Sequence, residues 1–228
     1  MKESKFQDVL EAAARLQQIL PDAVLVGGAA AAHHAAHRIS LDDDHVLTDL
    51  RQRFDAVLNA LEQTDGWVTS RVRPQVLILG SLDGIETGIR QLIRRRPLDT
   101  EIVSIGTRAL QVPTLDEIFR IKAWLVLRRN AVRDYLDVVA LADRLGNRRA
   151  AEMVLSLDEY YEDQIGADGL RISTQLVKQL ADPMPYDLSA VELSTYRKLE
   201  VRWRTWQNVV SAAQALASHV LDLMSEQE

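Results

Sequence analysis

From Ser4 to Leu20 the apolar residues Phe6, Val9, Leu10, Ala13, Leu16, Ile19 and Leu20 recur at helical spacing, and Pro21-Asp22 stops that helix. Ala23-Val24-Leu25-Val26-Gly27-Gly28 reads as a buried strand running into a tight turn. Residues Ala29 to Ala36 begin a second helix, and Thr48 caps a third that runs to about Gln63 with Leu50, Phe54, Val57, Leu58 and Leu61 on one face. Strand-like patterns follow at Trp67 to Val72, Gln75 to Leu79, Ile85 to Ile89 and Glu101 to Ile105, and Val112-Pro113 closes that region. Beyond it the spacing is helical almost to the end. Thr114-Leu115-Asp116-Glu117 forms a capping box, and further helices are predicted over about 131–145, 148–162, 168–180 and 189–225. Ser156 to Glu159 and Ser189 to Glu192 repeat the capping signature. Strands followed by a block of helices predict an α+β fold, split into an α/β core over 1–112 and a helical region over 113–228.

Length and composition narrow the possibilities. The 228 residues are enough for one large domain or two small ones. With no Cys, disulfides, thiolate chemistry and Cys-dependent zinc sites are excluded. A net charge of −6 argues against a protein that coats nucleic acid non-specifically, but it leaves room for a local basic groove. No apolar run reaches the roughly 20 residues of a membrane span, and the opening Met1-Lys2-Glu3-Ser4-Lys5 does not lead into a signal-like apolar stretch. The expectation is a soluble cytoplasmic protein without membrane partners.

The densest polar cluster is His37-Arg38-Ile39-Ser40-Leu41-Asp42-Asp43-Asp44-His45. On an extended segment Asp42 and Asp44 point the same way, and two carboxylates on one side suit Mg²⁺ with phosphate oxygens in its shell. A solvated acidic turn is the plainer alternative. Gly27 and Gly28 offer backbone N–H groups with no Cβ to block a phosphate, or else make an ordinary turn. His33 and His37 have the i, i+4 spacing of zinc ligands, which leaves a zinc hydrolase as a minor reading. Lys122 stands on an apolar helix stripe, where it either snorkels or faces a triphosphate. Asp134 and Asp137 share a helical face, where the alternative is a surface salt-bridge network with Arg133. Arg94-Arg95-Arg96 and Arg148-Arg149 are basic spots open to an RNA backbone, or simply solvated.

Taken in order, Gly27-Gly28, His37-Arg38-x-Ser40-x-Asp42-x-Asp44, Val112-Pro113-Thr114, Lys122 and Arg133-Asp134-x-x-Asp137 resemble the AbiEii/AbiGii-type nucleotidyltransferases. That family belongs to the DNA polymerase β-like superfamily and is best known as the toxin half of bacterial toxin–antitoxin systems. The resemblance covers about residues 23 to 145. It implies a nucleotidyltransferase-like mixed sheet with flanking helices, and a helical region that completes the active-site cleft. It also implies Mg²⁺-dependent transfer of NMP from an NTP to an RNA (tRNA) or protein acceptor, and a cognate antitoxin as partner. By position, Asp42, Asp44 and Glu86 (ahead of Asp83) would hold the metal, and Lys122 would meet the triphosphate. Gly27, Gly28, Arg38, Ser40 and Asp134 would complete the nucleotide site. Ala29 stands where the family usually carries Ser or Thr. The competing expectation is therefore an inactive module of the same fold that binds a nucleotide or partner without turnover.

Overall fold

A computed structural model describes residues 3–167 and 169–226. They fall into two compact units: Met1–Ala30, Ser40–Ile93 and Pro97–Thr114 form the first, and Ala31–Ile39, Arg94–Arg96 and Leu115–Glu228 form the second. Both units are thus assembled from separated stretches of chain.

The first unit opens with α1 (Glu3–Ile19) and β1 (Val24–Val26), and Gly27 and Gly28 are the first residues of α2 (Gly27–Ala35). The expected glycine turn is reduced to a single residue: the chain passes directly from strand to helix through Gly27 at φ +70°. A left-handed residue at this junction carries little strain only if it lacks a Cβ. The acidic cluster forms β2 (Asp43–Leu47), followed by α3 (Phe54–Glu62). The helix expected from Thr48 begins six residues later, at Phe54. Residues between β2 and α3 turn instead, held where Arg53 Nε bonds Asp49 and Arg53 Nη2 bonds Asp22. Next come β3 (Trp67–Arg73), β4 (Leu77–Leu82) and β5 (Ile85–Gln91), then β6 (Thr100–Ile105) and β7 (Arg108–Pro113).

The main sheet is mixed, in the order β1-β2-β5-β4-β3, with β2 and β5 parallel and the other neighbours antiparallel. One face packs on α1 and α3: Leu47, Ile78, Leu82 and Ile89 meet Leu16, Leu20, Phe54, Val57 and Leu61. Alternation along the strands sends the other set of side chains, Asp44 among them, to the opposite face. The β6–β7 ribbon is tied to α1 by Gln17, whose side chain bonds both the carbonyl (2.9 Å) and the N–H (2.7 Å) of Gln111.

The second unit contains α4 (Leu115–Arg129), α5 (Val132–Leu145), α6 (Asn147–Tyr160), α7 (Ile172–Ala181) and α8 (Trp206–Glu226). The long helix expected over 189–225 is α8 alone. Residues 189–205 are irregular apart from single 3₁₀ turns at Leu193–Thr195 and Val201–Trp203. Ser189 to Glu192 caps no helix, and Ser156 lies inside α6 with Oγ bonded to the Met153 carbonyl. The helix predicted from 168 starts at Ile172, Asp168 lying outside the described residues.

Ile89 is fully buried and pairs with both His45 and Ile78 in the sheet. Ile89→Ala is expected to cost about 2–5 kcal/mol by opening a cavity beneath the sheet. A urea titration followed by far-UV circular dichroism checks this.

Candidate functional site

In the first unit the organising residue is Asp44. It sits on β2 between Val26 of β1 and Gly88 of β5. A Cβ on Gly27 would come within 3.0 Å of the Asp44 Cβ and 3.1 Å of its Oδ2, and one on Gly88 within 2.6 Å of Oδ1. Glycine on both sides therefore leaves a slot that the carboxylate fills. Gly88 was not singled out from sequence, although an isolated glycine inside a strand signals close approach. The Asp44 side chain stays about one-third exposed, and Arg90 Nε lies 3.5 Å from its Oδ1.

Asp42 is exposed and precedes β2 by one residue. Asp43 pairs with Thr87, so one further step of the same register sets Glu86 beside Asp42. Glu86 is exposed on β5, two residues from Gly88 and hence on the Asp44 face. Asp83 lies in the β4–β5 turn and pairs with Arg15. Among the described residues no three His, Asp or Glu side chains gather closely enough to hold a metal ion together. Two carboxylates are still the usual protein share for Mg²⁺, with water and phosphate oxygens filling the rest of the shell. Asp42 and Asp44 fit that donor set.

Asp43 and His45 alternate with Asp42 and Asp44 and turn to the core face, both fully buried, with Asp43 Oδ1 2.8 Å from His45 Nδ1. Ser40 is buried just ahead of the acidic strand. On the Asp44 face a hollow of about 230 Å³ lies toward the far end of β1 and β2, lined by Val24, Val46, Leu92, Pro97 and Thr100.

In the second unit the polar centre is Asp137 on α5, with no solvent exposure. Its Oδ1 accepts from His37 Nε2 at 2.8 Å and Arg38 Nε at 2.8 Å, and its Oδ2 from Arg38 Nη2 at 3.0 Å. Lys122 Nζ is 2.7 Å from Oδ2 and only 2% exposed. Lys122 therefore neither snorkels nor reaches open solvent. Burial drives its pKa down, against the pull of Asp137 and Asp134. Burial pushes Asp137 up, but the Arg38 and Lys122 charges, with the His37 hydrogen bond, hold it well below the usual carboxylate range. Burial opposes the charge of Arg38, yet Asp137 raises it further above the usual arginine range.

Asp134 is also fully buried, and both its oxygens take Arg129, at 3.1 and 2.5 Å, in place of the Arg133 network expected on the surface. His37 lies beyond the end of α2, past Ala36 at φ 55°, so the i, i+4 pairing with His33 on one helix is lost. The basic runs are also engaged within the chain. Arg94 is buried and meets Glu117 at 2.6 Å, Arg96 pairs with Glu159, and Arg149 with Asp116 at 2.7 Å. Tyr160 is flanked by the Arg96 and Arg120 guanidinium groups, 3.8 and 3.7 Å from its ring centroid.

No protein-family model matches the chain. It is 32% identical over 206 residues to the heme uptake protein MmpL11 of Mycobacterium tuberculosis, covering 79% of this chain and 20% of that protein. To the mycolic acid-containing lipids exporter MmpL11 of Mycolicibacterium smegmatis it is 35% identical over 126 residues, covering 54% and 13%. The chain thus spans about a fifth or less of the curated relatives it matches. No helix among the described residues is long and apolar enough to cross a membrane. Two solved structures are similar in shape. An antigenic nucleotidyltransferase-like protein from Paracoccidioides brasiliensis has TM-score 0.48 and 15% identity, over 76% of this chain and 92% of that one. A putative nucleotidyltransferase from H. pylori has TM-score 0.44 and 12% identity, over 96% of each chain.

Removing the acid of the buried cluster strands two cations. Asp137→Asn is expected to cost about 3–5 kcal/mol at neutral pH. A folded pKa below the unfolded one contributes stability that is present above the unfolded value, near 4, and lost as pH falls through the folded value. The wild-type stability curve should therefore fall more steeply than that of Asp137→Asn between about pH 5 and pH 2. Denaturant titrations across that range measure the difference.

Proposed function

We propose that the chain is a nucleotidyltransferase, dependent on Mg²⁺, that transfers NMP from an NTP to an acceptor. The observation that supports this best is the glycine-flanked slot around Asp44, one residue removed from Asp42 and next to the N–H groups that open α2. Strand, paired glycines, helix and Asp-x-Asp stand there in the order of the family that the sequence resembles.

When bound, the metal would supply charge neutralisation at the α-phosphorus and at the leaving pyrophosphate. Asp42 and Asp44 would hold it, Asp44 with little freedom to swing because Gly27 and Gly88 close on it from both sides. The first N–H groups of α2, at Gly27 and Gly28, are unsatisfied within the helix and would donate to phosphate oxygens. Transfer is an in-line displacement. The acceptor hydroxyl oxygen bonds to the α-phosphorus, the bond to the bridging oxygen breaks, and pyrophosphate leaves. Glu86, exposed on the same sheet face, would take the hydroxyl proton. Arg38 and Lys122, which the resemblance sets at the nucleotide, are both buried against Asp137. Ser40 would offer a hydroxyl to the nucleotide.

The acceptor is RNA, with tRNA as the first candidate, or a protein. A toxin role with a cognate antitoxin follows from the same resemblance. A second reading is a nucleotide-binding module without turnover. It is favoured by Ala29 and by the lack of a three-acid cluster among the described residues.

The expected result is transfer of label from an α-labelled NTP to total tRNA or cell protein in the presence of Mg²⁺. Asp44→Asn should lower the rate by on the order of 100-fold or more. Gly88→Ala should do the same by displacing the Asp44 carboxylate, without unfolding the sheet. NTP binding by calorimetry with no pyrophosphate released would select the module instead.

A further inference from the structure

The sheet register carries the Asp44 face across four strands. Asp44 pairs with Gly88, Gly88 with Leu79, and Leu79 with Arg71. One step along, Val46 pairs with Arg90, Arg90 with Leu77, and Leu77 with Arg73. Directly paired residues on neighbouring strands share a face. The intervening residues Ile78 and Ile89 are fully buried on the helix side, which fixes the opposite orientation of these rows. Arg71, Arg73 and Arg90 therefore stand on the same face as Asp44, and all three are exposed. Leu77 and Leu79 lie half-buried between them, and Val68, paired with Ser81 on the third row, is 65% exposed.

From Asp44 to Arg71 is three strand spacings, or about 14 Å. On this face the acids Asp42, Asp44 and Glu86 gather on the β2–β5 side, with Arg90 3.5 Å from Asp44, while Arg71 and Arg73 stand on β3 with no acid paired to them in the sheet. Among the described residues Arg71 and Arg73 form no ion pair, unlike Arg94, Arg96 and Arg149. Cations spaced along a flat surface, with apolar side chains between them, match a ligand whose charges alternate with flat apolar groups. A single-stranded nucleic acid has that chemistry at every step, a phosphate followed by a base.

We infer that this sheet face is the track for a single-stranded RNA segment. Its phosphates lie on Arg90, Arg71 and Arg73, and one end comes to rest beside Asp44. The end placement rests on the reading of Asp44 as the reacting centre; the binding itself does not. Phosphate contacts without aromatic stacking make the track tolerant of sequence.

The test is fluorescence anisotropy of the full chain with a labelled oligouridine of about 12 nucleotides. Wild type should bind with affinity that falls with salt, at a log–log slope of about −2 for three phosphate contacts. Arg71→Glu/Arg73→Glu should weaken binding by about tenfold or more and bring the slope toward about −1. Arg71→Lys/Arg73→Lys should retain most of the affinity. Arg51→Glu/Arg108→Glu, which makes the same charge change at other exposed positions, should retain it too. Circular dichroism establishes that each variant is folded. Failure of wild type to bind, equal losses in the two charge-reversed variants, or equal binding of a polyglutamate peptide each overturns the proposal. Calorimetry with Mg²⁺ and ATP separates this from the reading of the site. Nucleotide binding should survive Arg71→Glu/Arg73→Glu and be lost in Asp44→Asn. RNA binding that depends on Arg71 and Arg73 in a chain that binds no ATP leaves the track standing and removes the enzyme.

Discussion

A carboxylate on an interior strand of a tightly paired sheet needs room on both sides, and here the room comes from side chains that are missing. Asp44 lies between Gly27 and Gly88, and a single methyl at either position would meet it at or inside van der Waals distance. Gly27 does two things at once. It turns the chain from β1 into α2 with a left-handed backbone, and it leaves space for the acid. Because Asp44 is placed by backbone spacing rather than by a flexible loop, the face it occupies can hold a charge in a fixed position while staying partly open to solvent.

The same strand divides its polar residues cleanly. Asp44 faces the open side with Asp42 just ahead of the strand, while Asp43 and His45 face the core, buried and in contact with each other. A slip of one residue would exchange the two sets. It would bring Asp44 against Ile78 and Ile89, and that cost keeps the register in place. In the helical unit, Asp137 performs a comparable service by ionic means, gathering His37, Arg38 and Lys122 around one carboxylate.

Much of this was legible in the order of residues. Helical spacing marked α1 and the α4–α6 region, and short apolar runs marked β1 and β3–β6. β2 lies outside the predicted strands, because Asp43, Asp44 and His45 interrupt any apolar run there. Two helices start later than their apolar spacing predicts, for the same physical reason. Leu50 and Trp203 continue a helical period, yet each is buried from a turn, so the period reports burial rather than backbone shape. The partners of the charged residues were not legible. Lys122 looked like a residue for phosphate, and Arg94 like part of a solvated run. Their carboxylates, Asp137 and Glu117, are brought to them only by tertiary folding. The role of Gly88 depends on what lies opposite it, and only the β2–β5 pairing shows that.

The Asp137 cluster joins residues 100 positions apart. During synthesis at roughly 5–20 residues per second, His37 and Arg38 would leave the ribosome several seconds or more before their acid. The helical unit can therefore not close as its first residues emerge. Its earliest segment must wait, hydrated and without its anion, until α5 is made. A truncation that stops short of α5 would leave that segment with no counter-charge to settle on, however well the sheet had formed.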